Sequence, residues 1–238
     1  MKIATWNLER GPSLRAQRAQ NTALEGLRAD ILVLTEPPAS CRSGPSLVTS
    51  PRQRVGRQGA ESWVAIVGKS AVKPAEIDIP FERMAAAARA TVDGRQVIIY
   101  GAVLPWKSIR SHAPELVHVG ESASAAFSRV LREQVADIER LRRRYKPDVI
   151  IWAGDFNQTV SGANHGGSRA NRTALTDALD GLGFKAWNGE AHHAQAGLNA
   201  VDLICGPRGQ RLVGQGRIDP VTSDGVQMSD HAGYWVEF

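Results

Sequence analysis

The sequence predicts an α/β fold in which two mixed β-sheets pack together with helices outside, as a single domain over residues 1–238. Strand-like apolar runs and amphipathic helical stretches interleave along much of the chain. A hairpin signal, Asp93-Gly94, interrupts that alternation, and the last strands cluster together. This mixture argues against a purely parallel, doubly wound sheet. No linker, internal repeat or long low-complexity tract divides the chain.

Taken in order, Lys2–Trp6 reads as a first strand. A helix over about Ser13–Arg28 follows, with Ser13 as its N-cap and Leu14, Ala23, Leu24 and Leu27 on its inner face. Ile31–Thr35 and Ser62–Gly68 are strands, and Ala87–Val92 with Gln96–Leu104 forms the hairpin. Pro105–Gly120 reads as a loop. Phe127, Val130, Leu131, Val135, Ile138 and Leu141 recur at helical spacing and predict a long helix over Ser122–Tyr145, stopped by Pro147. The Arg140–Lys146 cations at its end suit the helix dipole and are taken as structural. Then come the strand Val149–Ala153, a helix over Thr173–Leu182, and strands near Phe184–Trp187, Val201–Cys205, Arg211–Val213 and Gly233–Phe238.

With 42% hydrophobic and 22% charged residues, the composition is that of an ordinary soluble domain. No apolar run approaches the ~20 residues of a membrane span. The first strand already carries Asn7, so a signal peptide would have to displace a functional strand. Two cysteines, Cys41 and Cys205, make no disulfide framework. A reduced, cytoplasmic protein with no obligate protein partner is the expectation. The net charge of +5 leans toward an anionic partner. Arg42, Arg52, Arg54 and Arg57 lie in a Gly/Pro/Ser-rich stretch without an acidic residue, which reads equally well as a phosphate-tracking loop or a solvated one.

The chemistry sits where predicted strands end. Trp6-Asn7-Leu8-Glu9, Thr35-Glu36, Gly154-Asp155-Phe156-Asn157 and Ser229-Asp230-His231 each place polar side chains beside an apolar run. Phosphoester hydrolysis needs phosphoryl charge neutralised, a water aimed and deprotonated, and a leaving oxygen stabilised. Glu36 suits a hard divalent cation such as Mg²⁺, and Asn7 suits a ligand or an organiser of its water shell. Asp155 suits the water-orienting base, Asn157 a donor to phosphoryl oxygens, and His231 a cationic donor. Asp202 interrupts the apolar run Val201-Asp202-Leu203-Ile204 and is the acidic partner that such a histidine needs. Asp230 supports the metal. Any one of these pieces could be a turn or a cap. Their ordered recurrence is the stronger signal.

This constellation resembles the endonuclease/exonuclease/phosphatase superfamily, in pieces spanning residues 3–236. The resemblance implies a four-layer α/β sandwich and Mg²⁺-dependent phosphoester cleavage, with Mn²⁺ as the substitute. It also implies the roles just given to Asn7, Glu36, Asp155, Asn157, Asp202, Asp230 and His231, and adds Glu9 near the metal. Two departures bear on substrate. Members usually carry a Tyr or His where this chain has Val103; Lys107, Arg110 or His112 could replace that donor, with Lys107 the first choice. Abasic-site enzymes carry a Trp shortly before the Asp202 position, where this chain has Leu198-Asn199-Ala200-Val201. The inositol phosphatase signature is absent, and the chain is short for a sphingomyelinase-like member. In the Gly-rich loop Ser161–Arg172, Asn171 and Arg172 are the expected phosphate contacts. The leading expectation is a nuclease acting on nucleic acid, away from membranes. The alternatives are a phosphatase or phosphodiesterase for a small or lipid-linked ester, and an inactive binding module motivated by Val103.

Overall fold

A computed structural model describes residues 1–38, 47–51, 53–54, 60–68 and 72–238. The elements run β1 (Lys2–Asn7), α1 (Leu14–Gly26), β2 (Ile31–Thr35), β3 (Leu47–Thr49), β4 (Gln53–Arg54), β5 (Ala60–Glu61), β6 (Val64–Gly68), β7 (Ala75–Ile77), β8 (Ala85–Val92) and β9 (Arg95–Val103). After them come α2 (Ile109–His112), α3 (Ala123–Tyr145), β10 (Val149–Asp155), α4 (Arg169–Leu182), β11 (Phe184–Ala186), β12 (Asp202–Pro207), β13 (Gly214–Ile218) and β14 (Gly233–Glu237).

Two six-stranded mixed sheets result, ordered β13-β14-β1-β2-β6-β3 and β11-β12-β10-β9-β8-β7. They pack face to face, burying Ile3, Ile31, Val33, Val64 and Ile66 of one against Ala86, Ala88, Ile99, Ala153 and Ile204 of the other. At Gly101 a Cβ would come within 2.6 Å of Val64 Cγ1 in the opposite sheet, so glycine sets how closely the layers approach. Ala4, Trp6, Leu32 and Leu34 alternate to the outer face and meet Leu24 of α1. The α3 and α4 helices pack together outside the second sheet. The four-layer sandwich is therefore present.

Several local expectations are corrected. Leu14 is 73% exposed, because it opens α1 beyond the covered surface. Gln20 takes an inner position instead, donating to the carbonyls of Leu8 (2.9 Å) and Met228 (2.6 Å). The stretch 105–120 holds α2 and a single 3₁₀ turn, Pro114–Leu116. The strand expected at Arg211–Val213 is β13, three residues later, where Gly214 and Gly216 admit the Trp235 ring alongside. Strands β3, β4, β5 and β7 went unread, being too short for periodicity to register. Arg42, Arg52 and Arg57 of the basic stretch, and Cys41, lie outside the described residues.

Candidate active site

Strand direction gathers the polar ends. The parallel pair β1–β2 and the parallel pair β9–β10 finish at one edge of the sandwich. The antiparallel β12 and β14 begin there. Asn7, Glu36, Asp155, Asn157, Asp202 and His231 therefore meet at that edge, although up to 224 positions separate them in the chain (231 minus 7).

Asp155 and Asp202 are directly opposite each other in the β10–β12 register. Asp155 Oδ2 accepts from Asn7 Nδ2 at 3.0 Å, across the two sheets, and Asp155 Oδ1 accepts from the Asn157 amide at 2.9 Å. Burial, and next the Asp202 charge, push the Asp155 carboxyl up to about 7, against the pull of His231, the Asn157 amide and Asn7. His231 Nδ1 lies 2.6 Å from Asp202 Oδ2. Burial opposes the imidazolium, but Asp202, Asp155 and Asp230 outweigh it and hold its pKa well above the ordinary value. The ligand-type atoms of Asp155, Asp202 and His231 lie within 4.8 Å of one another. With Nδ1 committed to Asp202, this trio is a proton-sharing unit.

The loop carrying His231 is pinned to β1. Ser229 Oγ donates to the Asn7 carbonyl (2.7 Å) and accepts from the His231 amide (3.0 Å), while Trp6 Nε1 donates to the His231 carbonyl (2.9 Å). Backbone strain marks the same edge: Glu9, Arg10, Glu36 and Asn157 have φ of 49°, 54°, 47° and 50°. Gly154 has φ of 139°, and a Cβ there would sit 1.9 Å from the Ala102 carbonyl oxygen. Only glycine allows β10 to twist Asp155 into place at that point.

Oxygen donors collect around Glu36. Its carboxylate, raised by burial, meets Arg10 Nη1 at 2.5 Å and the Asn7 amide. Glu9 Oε2 accepts from the Asp230 amide at 3.1 Å, and burial followed by the Asp230 charge raises the Glu9 carboxyl. Partly buried Glu36, with exposed Glu9 and Asp230 nearby and one guanidinium against it, offers the oxygen ligands that a hard divalent cation takes. Asn7 is occupied at both amide atoms, since its Oδ1 caps the Glu9 amide at 2.9 Å. It ties Asp155 to the Glu36 side.

Three groupings escaped sequence reading. His165 and His193 line a cleft of about 240 Å³ beside Asn157 and His231. The His193 ring is 5.6 Å from that of His231 and 5.4 Å from that of His165. Burial lowers the pKa of both, with the His231 charge adding to it, so this wall is uncharged at neutral pH. Buried Asn188 bonds the Asp202 carbonyl (2.8 Å) and the Ile204 amide (2.7 Å), fixing the start of β12. Trp63 and Trp106 pair at 5.5 Å, joining the β6 end to the residues after β9. None of these has a periodic signature, because each joins positions that lie apart in the chain.

Val103 is 1% exposed and lies opposite Asp155 on the β9 side, so it offers the site no donor. Lys107 and Asn171 line one groove together. Arg172, expected at substrate, is engaged elsewhere: it donates to the carbonyls of Gly162 (2.8 Å) and Ala163 (2.9 Å) and to Thr159 Oγ1, closing the Gly-rich loop. His112 holds the Ser108 carbonyl at 2.9 Å on the exposed side of α2.

No protein-family model and no curated protein matches the chain in sequence. Solved structures match it along its whole length. The 3'-5' exonuclease NExo from Neisseria meningitidis is 18% identical, with a TM-score of 0.65 over 100% of this chain and 99% of that one. An endonuclease/exonuclease/phosphatase family protein from Leptotrichia buccalis is 14% identical, with a TM-score of 0.64 over 100% and 99%. Sphingomyelinase C from Streptomyces griseocarneus is 14% identical, with a TM-score of 0.64 over 99% and 98%, so length does not set this chain apart from a sphingomyelinase. The chain thus has the fold of the endonuclease/exonuclease/phosphatase superfamily.

Proposed function

We propose that the protein is a metal-dependent phosphodiester hydrolase that acts on nucleic acid. The observation carrying this reading is the coupled trio, with Asp155 raised to about 7 beside an Asp202-bound His231 imidazolium. A base titrating near neutrality and a fixed cation are the two protein groups that in-line attack on a phosphate requires. Asp155 takes the proton of the attacking water. Asn157 and His231 donate to non-bridging phosphoryl oxygens, and Asp202 keeps His231 charged and oriented. Asn7 holds Asp155 in register with Glu36.

Glu36, with Glu9 and Asp230, would hold the divalent cation, Mg²⁺ with Mn²⁺ as substitute; when bound it neutralises phosphoryl charge and steadies the leaving oxygen. Lys107 and Asn171 contact the substrate strand. The basic composition supports a polyanionic substrate, and the two cysteines support a reduced, cytoplasmic setting. Among the described residues no helix is long and apolar enough to cross a membrane.

The test uses an end-labelled duplex with one abasic site, wild type and Asp155→Ala, in Mg²⁺ and in EDTA. Cleavage requiring both Mg²⁺ and Asp155 is the expected result, and the bands distinguish abasic incision from nicking and end-trimming. A protein that hydrolyses bis(p-nitrophenyl) phosphate but leaves every strand intact acts on a small or lipid-linked ester instead. A protein without turnover on either is a binding module.

A further inference from the structure

Beyond the hydrolytic trio, a second groove of about 220 Å³ opens on the same edge, lined by Trp106, Lys107, Ser124, Gly167, Ser168 and Asn171. We infer that this groove is a nucleotide subsite, taking one unpaired nucleotide next to the scissile phosphate; the assignment rests on the nucleic-acid reading of the site.

Four observations carry it. Position comes first: Asn157 Nδ2 donates to the Leu104 carbonyl at 3.0 Å, two residues before Trp106. Gly167 touches Gln158, the residue after Asn157. A strand lying on Asn157 and His231 therefore runs directly into the groove.

The polar end of the groove is built for an anion. The first turn of α3, with Ser124, and the N-cap of α4, Ser168, both line it. Neither helix has an acidic residue in its first turn to neutralise the positive end of its dipole. Lys107 is exposed and forms no ion pair with any described residue.

Asn171 points to the ligand independently. It is 5% exposed, and its Oδ1 accepts from both Ser124 Oγ (2.5 Å) and Ser168 Oγ (3.0 Å). With both serine hydroxyls donating to Oδ1, the amide nitrogen is turned away from them. Its Nδ2 is left without an acceptor among the described residues, beside Gly167 at the groove. An amide donor kept free at the groove wall on a largely buried residue matches an incoming phosphate or base oxygen.

The fourth observation is Trp106, which forms the apolar wall. Its ring is steadied by Trp63 at 5.5 Å and by His112 at 6.4 Å. A flat apolar wall and an anion cradle lining one groove are the pattern of base-and-phosphate recognition in single strands. At about 220 Å³ the groove is on the scale of a single nucleotide unit, which favours an unpaired end, flap or gap.

The test is anisotropy with fluorescein-labelled oligothymidylate and with a blunt duplex, in EDTA so that nothing is cleaved. Wild type binds the single strand at least tenfold tighter than the duplex. Lys107→Ala weakens single-strand binding about fivefold and lowers the salt slope by about one. Trp106→Ala weakens it about tenfold with the salt slope unchanged, and Trp106→Phe restores most of the loss. Lys107 is on the surface, so its variant folds even where Trp106→Ala does not. Equal affinity for both probes, unchanged binding in the Lys107 and Trp106 variants, or no binding by wild type overturns the subsite. Wild type that binds through these residues yet cleaves no strand in Mg²⁺ overturns the proposed hydrolysis and leaves the subsite standing.

Discussion

Asp155 and Asp202 face each other across the β10–β12 pair, and His231 binds Asp202 at 2.6 Å. Two carboxylates placed opposite one another in a sheet repel. Here one imidazolium serves both, and its protonation is the condition for their coexistence.

Asp155→Asn should therefore stabilise the fold while removing turnover. A carboxyl raised from 3.8 to about 7 leaves the folded protein at no disadvantage below pH 4, then at a growing one up to pH 7, and at a constant one beyond. Urea unfolding should show the variant more stable by roughly 1–3 kcal/mol at pH 8 and equal at the acid end, with activity down about 10²–10⁴-fold. Equal stability at pH 8 would sink the assignment of a strained base.

Asp202→Asn acts on the histidine. His231 owes its raised pKa chiefly to Asp202, with Asp155 and Asp230 assisting against burial. The stabilisation it contributes is complete below its ordinary pKa of 6.5 and is lost as pH rises through the raised folded value. In the variant, NMR titration should find the imidazole losing its proton at lower pH. Turnover should drop roughly 100-fold or more and fall off on the alkaline side earlier than in wild type.

Cation binding can be read without substrate. Mg²⁺ at a hundredfold excess over its Kd should stabilise wild type by about 2.7 kcal/mol in thermal unfolding. Glu36→Gln should abolish that response. Arg10→Ala should strengthen it, since the guanidinium 2.5 Å from Glu36 competes for the same carboxylate. A response surviving in Glu36→Gln would move the metal elsewhere.

Gly154→Ala is expected to cost about 3 kcal/mol or more, through both a φ of 139° and the clash at 1.9 Å with the Ala102 carbonyl. Circular dichroism melting measures it. A melting temperature within a degree or two of wild type would show that β10 tolerates another path.

The polar edge was legible in the sequence because its members end, open or interrupt apolar runs, and an Asn, Glu or Asp there has few other reasons to recur in order. Ser13 was legible as a helix cap by the same local logic, and its side chain accepts from the Ala16 amide as expected. Leu14 was misread because helical spacing cannot say where a covering sheet stops. His165, His193, Trp63 and Trp106 were invisible as a group, since loops far apart in sequence bring their rings together. Arg172 looked available for phosphate. Only the fold reveals Gly162, Ala163 and Thr159 accepting from its two terminal nitrogens.

The site draws Asn7 and Glu36 from one sheet, Asp155, Asn157 and Asp202 from the other, and His231 from the turn leading back into the first. Neither layer holds a working half. On the proposed reading, turnover gauges docking between the layers: a small slide of one sheet over the other would separate Asn7 from Asp155 while every strand kept its hydrogen bonds. Ligands or substitutions at the sandwich interior, far from any phosphate, gain a route to control chemistry at its rim.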